Sequence, residues 1–128
     1  MTSEKIKSFK DLQVWQKADT LAHQIYDCTD SFPKKYTFDL TSQLRRAALS
    51  VATNIAEGCA SLHSKELIQF LSISRRSLSE THYLLMFAYQ KKLIDETTFK
   101  KLEMDIEEVS KMTNGLIKSI KKRATTVT

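Results

Sequence analysis

The sequence predicts an all-α protein, an antiparallel up-down-up-down four-helix bundle. The 128 residues include only two glycines and one proline, too few for the many turns of a β-rich fold. Apolar residues recur every three or four positions in four separate segments, which is the spacing of one helical face. The connections between these segments are short, and short connections favour antiparallel neighbours. The length predicts a single domain over residues 1–128.

The first predicted helix spans about residues 12–29. Trp15, Leu21 and Ile25 fall on one face, which we expect to point into the bundle core. Pro33 biases the residue before it toward extended geometry, so the first connection is predicted around this proline.

The second predicted helix, at about residues 40–57, carries two apolar stripes. Leu44, Val51 and Ile55 form the stripe that we expect to face the core. The second stripe lies roughly opposite and consists of Leu49, Ala52 and Ala56, beside Arg45. A surface helix of a small monomer normally shows one apolar stripe, so the second predicts burial against another subunit. Gly58 is predicted to end the helix in a left-handed conformation.

The third predicted helix spans about residues 64–91. Leu71, Leu78 and Leu85 lie on its inward face, and small side chains such as Ser74 on that face predict a close approach to a neighbouring helix. Large aromatic side chains lie on the opposite face, where we expect them to meet another subunit. These aromatic residues are Tyr83 and Phe87.

The fourth predicted helix spans about residues 96–122, with Asp95 as its N-cap. Its apolar positions alternate strictly between intervals of three and four, the pattern of a bundle seam. They are Phe99, Leu102, Ile106, Val109, Thr113, Leu116 and Ile120.

Motifs for catalysis or ligand binding are absent from the sequence. His23, His63 and His82 lie on different segments without metal-site spacing, and no glycine-rich phosphate loop occurs. Cys28 and Cys59 have no obvious local base, so we interpret them as small core residues. The sequence therefore predicts a protein that is not an enzyme, with no catalytic residue, cofactor, metal or small-molecule substrate.

A polar edge of the second helix, from Arg46 to Glu57, has two interpretations. The pair can bind a phosphate or take part in acid–base chemistry. Alternatively, its members can form ion pairs with charged residues of the third helix, since Arg–carboxylate pairs commonly lock helices together. The structural interpretation is preferred because no second carboxylate converges on the edge. The expected structural ion pairs involve Arg46, Glu57, Arg76 and Glu80, with Arg75 as a further candidate.

The formal net charge of +5 and the pI near 9.2 are compatible with an acidic partner such as nucleic acid. Three basic groups are the nucleic-acid candidates. They are Lys34 and Lys35; Arg75 and Arg76 with Lys91 and Lys92; and Lys118, Lys121, Lys122 and Arg123. Any single group is also explained as solvated surface charge, but an oligomer that repeats all three would present a multivalent surface to a polyanion.

Four stretches resemble one known family. They are FKDLQVWQKA at 9–18, FP at 32–33, LTSQLRRAALSVATNIAEG at 40–58 and KELIQFLSISRRSLSETHYLL at 65–85. In this order they resemble the 23S rRNA intervening sequence proteins, also called the S23 ribosomal protein family. Ala52 departs from the pattern, since the family often has proline there. The chain is more distantly similar to the accessory variability determinant of diversity-generating retroelements.

The resemblance implies a four-helix bundle that assembles as a homopentamer, and it supplies no catalytic residue to carry over. It also implies partners, namely ribosomal or other structured RNA, or a reverse transcriptase-type ribonucleoprotein. We therefore expect a non-enzymatic homo-oligomer that associates with RNA through basic patches. The alternative is a protein-interaction scaffold without nucleic-acid binding. The polar N-terminus and the lack of an apolar run of about 18 residues predict a cytoplasmic protein that does not enter a membrane.

Overall fold

The computed structural model describes residues 8–127, with side chains described for 8–124. Within this part of the chain there are four α-helices and no strand. The helices are α1 (Gln13–Thr29), α2 (Ser42–Cys59), α3 (Ser64–Gln90) and α4 (Glu96–Val127). The prediction of an all-α four-helix bundle is confirmed.

Cross-helix contacts define the antiparallel order of the bundle. Between α2 and α3, Ser50 hydrogen-bonds Ser77, whereas Val51, one residue later, accepts a bond from the earlier residue Ser74. Between α3 and α4, Arg75 bonds Asn114 and His82 contacts Glu103. In both pairs of helices, residues later in one helix contact residues earlier in the next, which shows that neighbouring helices are antiparallel. Each helix packs beside its neighbour in sequence, and α1 closes the ring against α4, which gives the up-down-up-down topology.

The core consists mainly of the inward faces predicted from the sequence, with a change in α1 and another in α4. In α1, the predicted core residue Trp15 is only half-buried, and its neighbour Val14 is buried. Leu21, Ile25, Leu44, Ile55, Leu71, Leu78, Leu85 and Val109 are among the fully buried side chains. Near the end of α4, Leu116 is only half-buried and Ile117 is buried in its place. A straight α-helix drifts by about 20° per heptad from a strict seven-residue repeat. By its last turns, α4 has therefore rotated a neighbouring position toward the core.

The connection between α1 and α2 is mostly helical. A 3-10 turn at Lys34–Tyr36 follows Pro33, and a π-helical turn at Thr37–Thr41 runs directly into Ser42. The helical backbone therefore begins earlier than the predicted boundary near residue 40. At the other end of the bundle, α4 extends past its predicted end at 122 to Val127.

Gly58 does not adopt the predicted left-handed conformation, since no glycine among the described residues has a positive φ. It lies inside α2, where an added Cβ would come within 2.9 Å of Leu67 Cδ1 and 3.1 Å of Phe70 Cβ. The glycine therefore serves the close approach of α2 and α3. The left-handed residue that follows a helix is Lys92, with φ of 65°, just beyond the end of α3.

Asp95 caps α4 as predicted. The backbone amide of Thr98 donates to Asp95 Oδ1 at 2.7 Å, and hydrogen bonding to Thr98 lowers the pKa of the Asp95 carboxyl.

None of the described helices combines the length and the apolar composition that a membrane span requires.

Candidate functional site

The antiparallel topology divides the basic candidates between the two ends of the bundle. We call the end that holds the α1–α2 and α3–α4 connections the double-connection end, and the opposite end the single-connection end. Lys34, Lys35, Lys91 and Lys92 lie at the double-connection end, whereas Lys118, Lys121, Lys122 and Arg123 lie toward the single-connection end. All eight are exposed.

One predicted group is separated by the fold. Arg75 and Arg76 lie near the middle of α3, about 24 Å along the helix axis from Lys91 and Lys92 at 1.5 Å per residue. Arg75 Nη1 donates to Asn114 Oδ1 at 3.1 Å, while Arg76 is exposed. The structure instead brings Lys91 and Lys92 to the same end of the bundle as Lys34 and Lys35.

Ion pairs within the described residues are made by other cations. Lys17 pairs with Glu108, Lys101 with Asp105 and Arg45 with Asp30, and the rings of His82 and His23 lie within 4.0 Å of Glu103 and Asp19. Most of the basic candidates have no carboxylate of a described residue within 4.0 Å. This holds for Lys34, Lys35, Arg75, Arg76, Lys91, Lys92, Lys118 and Arg123. Their positive charge is therefore available to an external anion.

The ion pairs predicted on the α2 polar edge are not formed within the described chain. Gln43 Nε2 donates to Glu80 Oε2 at 3.2 Å, and Arg46 shares a surface groove of about 410 Å³ with them. Neither Arg46 nor Glu57, Arg76 or Glu80 has an ion-pair partner within 4.0 Å among described residues. These four side chains are exposed, and an ion pair in water gains too little to hold long side chains in one geometry.

Arg45, predicted at a subunit interface, fastens α2 to the end of α1 within the chain. Its Nε donates to Thr29 Oγ1 at 2.7 Å, and its Nη2 lies 2.9 Å from Asp30 Oδ1 and 3.2 Å from the Tyr26 carbonyl oxygen. The guanidinium also sits 4.5 Å from the centroid of the Tyr26 ring. Carbonyl groups at a helix C-terminus lack intrahelical donors, so this arginine caps α1.

The second apolar stripe of α2 is covered in part by the chain itself. Ala52 is buried, Ala56 is half-buried, and Leu49 is 43% exposed. Because α2 packs between α1 and α3, its buried arc is wider than that of a helix with one neighbour. Ala52 therefore needs no second subunit. Leu49 instead borders a groove of about 240 Å³ between α1 and α2 that includes Ala22 and Tyr26.

The two aromatic interface candidates of α3 differ in their surroundings. Tyr83 is 57% exposed, whereas Phe87 is partly buried against the core, with the Lys91 ammonium 5.6 Å from its ring centroid. Among the six interface candidates, Leu49 and Tyr83 thus remain as large apolar side chains that one chain leaves open to a partner.

Phe38 is an exposed aromatic residue that the sequence reasoning did not single out. It lies in the π-helical turn beside the basic pair Lys34 and Lys35 and is 96% exposed. Its position on the helix relative to its neighbours is the sequence feature that indicates its exposure. Phe38 precedes the buried Leu40 by two positions, about half a turn of a helix, so Phe38 points away from the core.

The cysteines are poor nucleophiles in this structure. Burial raises the pKa of Cys28 to about 11, although the nearby Arg45 charge lowers it in part. Burial also raises the pKa of Cys59. Both side chains are half-buried rather than fully enclosed. Across residues 8–124 no group of three or more His, Cys, Asp or Glu side chains is arranged to hold a metal ion.

Residues 10–115 match the family model described as the 23S rRNA-intervening sequence protein. This span covers most of the chain, from just before α1 to Gly115 within α4. The chain belongs to this family. The resemblance inferred from the sequence is thereby confirmed. A search of curated proteins found no match to the sequence.

A solved structure of similar fold comes from Bacteroides thetaiotaomicron VPI-5482, a protein of unknown function from the S23 ribosomal protein family. It superposes with a TM-score of 0.74 at 23% sequence identity and covers 82% of this chain and 98% of its own. At this identity the likeness establishes the shared four-helix fold.

Proposed function

We propose that the protein is a non-enzymatic homo-oligomer, a pentamer, that associates with structured RNA or a ribonucleoprotein in the cytoplasm. One observation carries the proposal. Lys34, Lys35, Lys91 and Lys92 at the double-connection end, and Lys118 and Arg123 toward the other end, have no described carboxylate within 4.0 Å, whereas Glu108 and Asp105 of α4 pair with Lys17 and Lys101. The family description, which names the intervening sequence of 23S rRNA, supports RNA as the polyanion.

Binding is tested by filter retention of a 23S-type RNA fragment over a series of salt concentrations. We expect roughly micromolar affinity at low salt and a log K that falls linearly with log salt, because phosphate contacts release counterions. No binding at low salt would refute the proposal.

Paired charge-removal variants identify the contacts. Lys34→Gln with Lys35→Gln should lower the salt slope by about 1 to 2, since each lost phosphate contact removes roughly one unit. Lys17→Gln with Lys101→Gln removes the same charge from lysines that already pair with carboxylates. This control should leave the slope nearly unchanged, and equal losses would show that only net charge matters.

Lys92→Gly separates binding from folding. Lys92 adopts φ of 65°, a conformation that costs a non-glycine residue roughly 1 kcal/mol. The glycine variant should therefore raise the free energy of unfolding by about that amount while weakening RNA binding. If the variant is more stable but binds RNA with unchanged affinity, Lys92 is not part of the RNA-binding surface.

The oligomer is tested by light scattering on a size-exclusion column. We expect about five times the chain mass of 14.7 kDa, and a monomer at micromolar concentration would contradict assembly. Leu49→Asp and Tyr83→Asp should each reduce the mass if these exposed side chains are buried between copies. Phe87→Asp is less informative because Phe87 packs against the core.

A protein-interaction scaffold without nucleic-acid binding is the second candidate. The exposed apolar side chains Leu49, Tyr83 and Met104 favour it, since such residues are suited to protein contacts. Pull-downs before and after nuclease treatment separate the candidates. Partners that survive nuclease support the scaffold, whereas partners lost with the RNA support the ribonucleoprotein.

A further inference from the structure

Phe38 is the most exposed of the large apolar side chains in the described part of the chain. It is held outward by an ordered helical segment. Leu40 and Thr41 of the same turn are buried, and Tyr36 before it packs against the core. The ring is therefore presented from a backbone anchored on both sides, which lowers the entropic cost of a contact made through it.

The surroundings of the ring are charged rather than apolar. Lys34 and Lys35 precede it by four and three residues within a continuous helical stretch, a 3-10 turn followed by a π-helical turn, so they lie within about one turn of Phe38. Neither lysine has a described carboxylate within 4.0 Å, and the Lys35 ammonium lies 5.3 Å from the centroid of the Tyr36 ring. The nearby Asp39 carboxylate accepts a hydrogen bond from the Leu40 amide, and Asp30 pairs with Arg45.

An exposed aromatic ring that follows two lysines in the chain fits one kind of partner best. Protein hot spots centre on aromatic residues that a ring of other contacts shields from water, whereas Phe38 is 96% exposed. Proteins that bind single-stranded nucleic acid combine a basic surface along the backbone with aromatic rings on which bases stack. We propose that Phe38 stacks on an unpaired RNA base while Lys34 and Lys35 contact the adjacent phosphates.

This inference rests on the proposed RNA association and adds the unpaired nucleotide as the feature that is recognised. Base stacking and phosphate contact differ in their dependence on salt. Loss of the ring should weaken binding by the same factor at every salt concentration, whereas loss of Lys34 or Lys35 should change the slope. The two contributions can therefore be measured separately.

The experiment compares two fluorescent RNAs with the same number of phosphates, a hairpin with an unpaired loop and a blunt duplex. Phe38→Leu keeps an apolar side chain but removes the aromatic face. It should weaken hairpin binding about tenfold without changing the salt slope, and it should leave duplex binding unchanged. Phe38→Trp should restore hairpin affinity. Unchanged circular dichroism and melting temperature confirm that the exposed substitution preserves the fold.

Leu62→Ala is the matched control. Leu62 is 92% exposed but lies in the α2–α3 connection at the opposite end of the bundle, so its truncation should not affect either RNA. Photocrosslinking with 5-iodouridine in the hairpin loop should label the peptide that contains Phe38.

The outcomes are distinct. If the unaltered protein binds neither RNA, the proposed function fails and the stacking inference fails with it. If the protein binds the hairpin and Phe38→Leu binds equally well, RNA association stands and the stacking inference is overturned. If Phe38→Leu leaves RNA affinity intact but changes the mass in light scattering, Phe38 belongs to a contact between copies, which also overturns the inference.

Discussion

The α2–α3 and α1–α4 interfaces are both contacts between antiparallel helices, yet they are built from different side chains. Between α2 and α3, Ser74 Oγ donates to the Val51 carbonyl oxygen at 2.8 Å, and Ser77 Oγ lies 2.8 Å from Ser50 Oγ. Gly58 leaves no room for a Cβ against α3. Small side chains thus let the two backbones approach closely and satisfy their own polar groups.

The α1–α4 interface is wetter and more open. Lys17 and Glu108 approach to 3.3 Å across it, but their side chains are 45% and 52% exposed. They line a surface groove of about 200 Å³ together with Thr20 and Gln24 of α1 and Lys101 of α4, among other residues. The difference indicates that α2 and α3 are the more closely packed pair of the two, whereas α1 and α4 are separated in part by a surface groove.

The largest expected effect comes from overfilling the α2–α3 interface. Ser74 is fully buried, so Ser74→Leu adds volume where the helices are closest and removes the hydrogen bond to Val51. The free energy of unfolding should fall by about 3 kcal/mol, most of it from overpacking. Urea denaturation measures the change. Ser79→Leu, on the exposed face of α3, should stay within about 0.5 kcal/mol. Equal effects would mean that the interface is not tightly packed.

The next effect concerns how α1 is attached to α2. Arg45→Met should lower the free energy of unfolding by about 2 kcal/mol because the Thr29 hydroxyl, the Asp30 carboxylate and the Tyr26 ring all lose their contact with the guanidinium. Arg46→Met is the control, since this exposed neighbour has no described ion pair. Thermal melts of both variants decide the point. A matched loss from Arg46→Met would contradict the capping role of Arg45.

The fold could be predicted from the sequence because the period of the apolar residues indicates which face of each helix is buried. Leu21, Leu44 and Leu85 are buried as their phase requires. Periodicity does not record how many neighbours a helix has. Periodicity alone therefore predicts that Ala52 meets another subunit, although α2 packs between α1 and α3 and buries Ala52 within the chain.

The candidate site was less accessible to sequence reasoning because it depends on connections. The pairing of Lys91 with Arg75 followed proximity in sequence, whereas the antiparallel order places Lys91 at the same end as Lys34. The phase of Phe38 relative to Leu40 indicates exposure only if the backbone before residue 40 is helical, and the helix predicted from the sequence begins at about residue 40. Gly58 reads as a helix terminator until the close approach of Phe70 is known.

The two glycines give a pair of substitutions with opposite signs. Gly115 lies on the exposed face of α4, and an added Cβ there meets nothing within 4 Å. Gly115→Ala should therefore stabilise the protein by about 1 kcal/mol through helix propensity and a less flexible unfolded chain. Gly58→Ala gains the same stabilisation from helix propensity and from a less flexible unfolded chain. However, its new Cβ would lie 3.1 Å from Phe70 Cβ.

Phe70 Cβ cannot move without its backbone, so we expect Gly58→Ala to be net destabilising by about 1 kcal/mol. Differential scanning calorimetry of both variants gives the comparison. If both alanines stabilise the protein, α3 can shift away from α2 at little cost, and the α2–α3 interface is softer than its geometry implies.

The smallest effect should come from the α1–α4 ion pair. A double-mutant cycle with Lys17→Gln and Glu108→Gln should give a coupling within about 0.5 kcal/mol, because both side chains are largely in water. The coupling should vanish in 1 M salt, where the screening length is about 3 Å. A cycle with Ser50→Ala and Ser77→Ala should keep a coupling of about 1 kcal/mol at both salt concentrations, since this hydrogen bond is partly buried and uncharged. A large, salt-insensitive coupling of Lys17 with Glu108 would instead show that the α1–α4 interface shields its ion pair from water, and it would remove the distinction between the two interfaces.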